Sequence, residues 1–195
     1  HGTYRLGIRI LAMADAVHAR LNLHEAAVPA LATLRARSEE TVFLCERRGD
    51  RVICIQRIDG AMVGVLALRL GGALPLHAGA AARAVLAHLD AREWEGDAQR
   101  GGLEAYTSHT LVTAEALRAD AARIRRVGYA ESDGDVTEGV AALGAPVFSA
   151  GGAVLGAISV SGVRPAILGD ARCALVGAVV ESARAISASL GHAPV

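Results

Sequence analysis

Apolar residues recur at helical spacing at the start of the chain, at Leu6, Ile10, Met13, Val17 and Leu21, which predicts an amphipathic helix over about residues 5–21. Asn22 with Glu25 three places on has the form of a capping box, so a second helix is expected through Val28, Leu31 and Leu34 to about Arg37. From Thr41 the period changes. Residues 41–46 and 51–57 read as strands about a turn at Arg48-Gly49-Asp50, and 63–68 as a third strand broken by Gly71-Gly72. An Ala-rich helix then runs to about Leu89, a short helix and loop occupy 90–102, and a helix over 113–127 ends at Gly128-Tyr129. Residues 132–135 read as a polar turn, 139–148 and 153–160 as strands about a turn at 149–152, and 170–190 as a closing helix stopped by Gly191. Strands joined by short turns as well as helices, without strict βαβ alternation, predict an α+β fold on an antiparallel sheet.

One strand carries an unusual alternation. In Gly156-Ala-Ile-Ser-Val-Ser-Gly162, Ile158 and Val160 share one face, and Ala157, Ser159 and Ser161 share the other. A sheet face made of Ala and paired Ser leaves room for a ligand and offers it hydroxyls, although an exposed edge would also tolerate such residues.

Composition narrows the function. The 195 residues suffice for one domain or one domain with an appendage, and 52% are hydrophobic but only 3% aromatic. A core of Ala, Val, Leu and Ile follows, without aromatic platforms for nucleic-acid bases. Twenty basic and twenty acidic residues give zero formal charge, which argues against direct nucleic-acid binding by this chain. Cys45, Cys54 and Cys173 lack C-x-x-C spacing and fit a reducing, cytoplasmic setting. The sequence shows no bilayer-length apolar run and no secretory leader, so no membrane partner is expected. It opens on His1-Gly2-Thr3-Tyr4 without an initiator Met, and reads as a piece of something longer.

The second candidate element is Leu74-Pro75-Leu76-His77-Ala78-Gly79-Ala80-Ala81, which leads from a loop into a helix with almost no side chains in its first turn. Free amides there, at Ala78, Gly79, Ala80 and Ala81, could meet a small acid; tight packing of the helix on the sheet explains the small residues equally well. The turn Glu131-Ser-Asp-Gly-Asp135 could close one end of such a cavity. Catalytic motifs are missing: there is no H-E-x-x-H, G-x-S-x-G, G-x-G-x-x-G or Walker lysine, so no cofactor is expected. His77 fits a loop-fixing hydrogen bond better than proton transfer, and no spacing recommends a metal site.

Taken together, Tyr4-Arg-Leu-Gly7, Leu74-Pro-Leu-His-Ala78, Gly128-Tyr-Ala130, Gly139-Val140 leading to Ala145-Pro-Val147, and Ser159-Val-Ser-Gly162 resemble, in order and spacing, the effector-binding domain of IclR-type bacterial transcriptional regulators. The resemblance implies a GAF-like curved antiparallel sheet flanked by helices. It also implies a sensor whose DNA-binding winged helix-turn-helix lies outside this chain, with residues 1–21 as interdomain linker and 22–195 as effector domain. A small organic or aromatic acid would be bound by Ala80, Ala81, Ser159 and Ser161, with Val63, Leu66 and Leu74 as apolar lining. Two family positions that can be Asp and Cys fall on Ser132 and Ala142, which makes the pocket less acidic and roomier. Self-association as a dimer or tetramer and DNA contact through the N-terminal domain are likewise implied. The alternative is a small enzyme using the same pocket, with His77 and Ser159 or Ser161 as its acid-base and nucleophile.

Overall fold

The structure, a computed structural model, describes residues 9–60, 68–100 and 102–193, with side chains described outside 9–22 and 97. Helix α1 (Arg9–Ser38) leads into the hairpin β1 (Thr41–Arg48) and β2 (Arg51–Ile58), then the short β3 (Ala73–Pro75). Helices α2 (Ala80–Leu86), α3 (Glu95–Gln99) and α4 (Ala114–Val127) follow. Strands β4 (Ala130–Asp133), β5 (Val140–Phe148) and β6 (Val154–Val163) precede α5 (Arg164–Leu168) and α6 (Arg172–Ser189). The six strands form one sheet in the order β3-β2-β1-β6-β5-β4, and every described pairing is antiparallel. The architecture is therefore α+β, as the pattern predicts.

Two expectations need correction. The predicted helix break at Asn22 does not occur, because α1 runs uninterrupted through it. Leu23, Ala27, Leu31 and Leu34, spaced four, four and three apart, are all fully buried on one stripe, and that packing outweighs a local cap. The second correction concerns Ser132, which is not in a turn. It lies 5% exposed within edge strand β4, because Ala130–Asp133 pairs with Ala141–Gly144 of β5 and finds backbone partners there. The strand expected over 63–68 falls mostly outside the described residues.

The sheet buries both faces, and its two faces differ in kind. Leu44, Leu143, Val147, Ile158 and Val160 point to one side, where α1, α5 and α6 supply Leu31, Ile167, Val179 and Ile186. On the other side Phe43, Cys45, Cys54 and Ala157 meet the Ala-rich α2, with Leu117 and Ile124 of α4 behind it. The closest approach is at Gly144, where a Cβ would stand 2.8 Å from the Ala80 carbonyl carbon and 2.9 Å from the Ala81 nitrogen. Only a residue without a side chain lets α2 lie this low on β5.

Thr113 caps α4 through its hydroxyl, which accepts from the Ala116 amide at 3.2 Å, and Gly128 ends the helix in the left-handed conformation. Beyond α2, His88 packs edge-on against Phe148, with its Nδ1 3.0 Å from the Ala84 carbonyl. Burial pushes the His88 pKa down, opposed by the Ala84 carbonyl and reinforced by the charge of Arg125. A histidine depressed in the folded state binds protons more readily when unfolded, so its contribution to stability is present above the ordinary value of about 6.5 and is lost as pH falls below it. Urea midpoints measured between about pH 7.5 and about pH 5.5 should drop, and His88→Gln should flatten that part of the slope.

Candidate functional site

The small-residue face of β6 becomes part of a cavity because of what lies beside it in register. Ser159 is flanked by Phe43 on β1 and Gly144 on β5, and Ser161 by Thr41 and Ala142. Ser132 on β4 continues the second row through its pairing with Ala142. Above these rows lies the start of α2, at Gly79, Ala80 and Ala81, and Leu68, Leu74, Val136, Thr137 and Val140 complete the lining. The space they enclose is about 60 Å³. A single water needs roughly 10–15 Å³ on this measure, so the cavity admits a ligand of several non-hydrogen atoms and not a peptide.

Seven of the nine residues singled out in the sequence, Leu74, Ala80, Ala81, Ser132, Ala142, Ser159 and Ser161, meet at this cavity. Val63 and Leu66 lie outside the described residues. The polar groups differ in how far they are satisfied. Ser161 donates to the Ala141 carbonyl at 3.0 Å. Ser132 donates to Asp135 Oδ1. Ser159, 4% exposed, makes no hydrogen bond among the described residues. Of the expected amide donors, Ala78 is bonded to the Pro75 carbonyl at 3.2 Å and Gly79 to Asp135 Oδ2 at 3.0 Å, while Ala80 and Ala81 make no such bond. With no protein partner among the described residues, the Ser159 hydroxyl and these amides mark where a ligand's polar atoms would be most favoured.

Behind the cavity is an ionic network that no spacing in the sequence reveals. Arg83, in α2, is 5% exposed and donates to Asp120 Oδ2 of α4 and to the Glu131 carbonyl of β4, each at 2.5 Å. Its Nε lies 3.2 Å from Asp135 Oδ2, close enough for ion pairing but not aligned for a hydrogen bond. Asp135, 2% exposed, thus receives the Ser132 hydroxyl, the Gly79 amide and the field of Arg83 together. Its backbone carbonyl also accepts from Thr110 Oγ1 at 2.6 Å. Of the segment 131–135, Ser132 lines the cavity, and the Asp135 carboxylate it donates to is already matched by Arg83 and the Gly79 amide.

The alternative pairing of His77 with a cavity serine finds no support in the geometry. His77 Nε2 is 2.9 Å from the Glu104 carbonyl, and the ring lines a separate cleft of about 230 Å³ with Arg51, Trp94 and Tyr106. Among the described residues no cluster of three or more His, Cys, Asp or Glu is placed to hold a metal ion. No described helix is long and apolar enough to cross a membrane.

Two substitutions test this construction. Asp135→Asn removes the charge facing Arg83 and should cost about 3 kcal/mol, the low end for breaking a buried pair, read from urea denaturation. Gly144→Ala forces a methyl against the Ala80–Ala81 backbone and should cost about 1–3 kcal/mol by the same measurement, a clash that Gly151→Ala on an exposed turn should not reproduce.

The family model described as "Bacterial transcriptional regulator IclR C-terminal" matches residues 15–188. The HTH-type transcriptional regulator KipR of Bacillus subtilis is 30% identical over 191 residues, 98% of this chain and 76% of that protein. The transcriptional repressor IclR of Escherichia coli is 28% identical over 97% of this chain and 70% of its own length. Among solved structures, the IclR of Thermotoga maritima superposes with a TM-score of 0.83 at 25% identity, covering 95% of this chain and 75% of that one. The C-terminal domain of E. coli KdgR superposes with a TM-score of 0.77 at 25% identity, over 88% of this chain and 99% of that one.

Proposed function

Because the chain belongs to the family of IclR-type bacterial transcriptional regulators, of which it carries the C-terminal domain, we propose that it is the effector-sensing part of such a regulator. The observation that carries this reading is the unpartnered hydroxyl of Ser159, buried in a cavity between the sheet and the start of α2. A small organic acid would place carboxylate oxygens against Ser159 and the free amides of Ala80 and Ala81. Phe43, Leu68 and Leu74 would cover its apolar part. The positions Ala142 and Ser132 fit the same reading: one adds space, and the hydroxyl of the other is engaged by Asp135.

Signalling requires that the ligand prefer one of two arrangements, since a ligand with equal affinity for both shifts nothing. We assign residues 1–21 to the linker toward a DNA-binding domain and 22–195 to the sensor. The boundary then falls inside α1, so one continuous helix joins the two. α1 packs along α6 and β1 on the sheet face opposite the cavity, and strand β6 contributes to both faces. A ligand that reseats β6 against α1 would move the helix leading to DNA. Self-association as a dimer or tetramer would present two such helices to a palindromic site.

The test is a thermal-shift screen of small aliphatic and aromatic acids, followed by titration of any hit. Ser159→Ala should weaken binding by roughly 10- to 100-fold, the worth of one hydrogen bond to a charged group, while the unliganded protein melts no lower. Unchanged affinity in Ser159→Ala would reject this cavity as the site, and conversion of the hit to product, seen by mass spectrometry, would favour the enzyme reading.

A further inference from the structure

The β1–β2 ladder contains an irregularity that places two thiols side by side. Leu44 pairs with Gln56, but the next residue, Cys45, pairs with Cys54, so Ile55 is the extra residue of a bulge. In unbroken register Cys45 would oppose Ile55, and Cys54 would oppose Glu46. The bulge instead turns Cys45 and Cys54 to the same sheet face, where they join one apolar cluster at 0% and 1% exposure. Directly paired antiparallel residues have Cα atoms about 4.5–5.5 Å apart. That lies within the roughly 4.4–6.8 Å span a disulfide bridges without moving the backbone.

The local chemistry favours a division of labour between the two sulfurs. The hydrogen bond between the thiols lowers the pKa of Cys54, burial opposes it, and the charge of Arg57 assists. The same hydrogen bond, followed by burial, raises that of Cys45. The charge of Arg57 acts on Cys54 and not on Cys45, which gives Cys54 the attacking role and Cys45 the resolving one. β3 is three residues long and reaches only Arg51–Ile53, and beyond it Cys54 is held by the Gly71–Gly72 backbone, at 2.8 and 2.9 Å.

We propose that Cys45 and Cys54 are a reversible disulfide site oxidised by peroxide. The Cys54 thiolate attacks one peroxide oxygen, the O–O bond breaks, and Cys54 becomes a sulfenic acid as hydroxide leaves and takes up a proton. The Cys45 sulfur then attacks the Cys54 sulfur, its proton leaves with the displaced hydroxyl as a second water, and the S–S bond forms. Overall, two thiols and one hydrogen peroxide give one disulfide and two waters. Cys173, exposed on α6, takes no part.

Trypsin reads the outcome directly, because Arg47, Arg48 and Arg51 lie between the two cysteines. Folded Cys173→Ser protein is treated with hydrogen peroxide, alkylated in denaturant and digested without reduction. Residues 38–47 (or 38–48) should appear joined to residues 52–57, with the loss of two hydrogens, and dithiothreitol should separate them. The proposal is overturned if both cysteines are recovered alkylated, or if Cys54 proceeds to sulfinic acid with Cys45 still alkylatable. In Cys45→Ala protein Cys54 should over-oxidise instead; if neither variant shows any oxidation of Cys54, the assignment of Cys54 as the attacking thiolate fails as well.

Discussion

A single buried guanidinium sets the geometry on the cavity side of the sheet. Arg83 leaves α2 and reaches α4 through Asp120, β4 through the Glu131 carbonyl and the loop after β4 through Asp135. Taking such a cation out of water costs several kcal/mol unless every partner is in place, so the four segments tolerate only the arrangement that satisfies it. Asp135 then extends the constraint. By accepting from the Gly79 amide it holds the residue that starts α2, and by accepting from Ser132 it orients a side chain in the cavity wall. Gly79 adopts a positive φ of 83°, where a Cβ would meet Leu74 at 3.2 Å. The entrance to α2 is thus fixed by charge from behind and by sterics in front.

The cavity is what remains when a helix is pinned over a face of small residues. On the α1–α6 side, Leu, Ile and Val side chains from both the sheet and the helices dominate the core. On the α2 side the helix offers mostly Ala, and β5 and β6 offer Ala142, Gly144, Ser159 and Ser161 in return. Larger side chains would fill the gap and add hydrophobic stabilisation, so the retained space is a standing cost of the fold. Sites that break a packing rule without compensation from within the protein are where a function is best sought.

How much of this the sequence discloses depends on how far each interaction reaches. Alternation along β6 is local, and without any strand partner it assigns Ile158 and Val160 to one face and Ser159 and Ser161 to the other. Helix ends at Thr113 and Gly128 are equally local. The continuity of α1 is not, since Asn22 and Glu25 have the form of a cap and only the buried stripe from Leu23 to Leu34 overrides it. Arg83 and Asp135 are separated by 52 positions and each looks like an ordinary surface charge; nothing local distinguishes them from Arg123 or Asp133. Gly144 likewise reads as a strand glycine until Ala80 is seen above it. His77, which the sequence places beside the serines, faces another cleft because its ring is turned toward the Glu104 carbonyl.

These arrangements also bear on the chemistry a ligand would meet. No arginine, lysine or histidine lines the cavity among the described residues, and the nearest carboxylate, Asp135, is already matched by Arg83. The available groups are donors: the amides of Ala80 and Ala81 and the hydroxyl of Ser159, with Thr137 at the rim. An anion here would be held by dipoles rather than by a counter-charge, as at other backbone anion sites, and a neutral carbonyl could use the same donors. Binding by dipoles in a small, partly apolar space discriminates by shape and by oxygen placement more than by charge. That suits a sensor, whose response depends on a difference in affinity between two arrangements rather than on affinity alone.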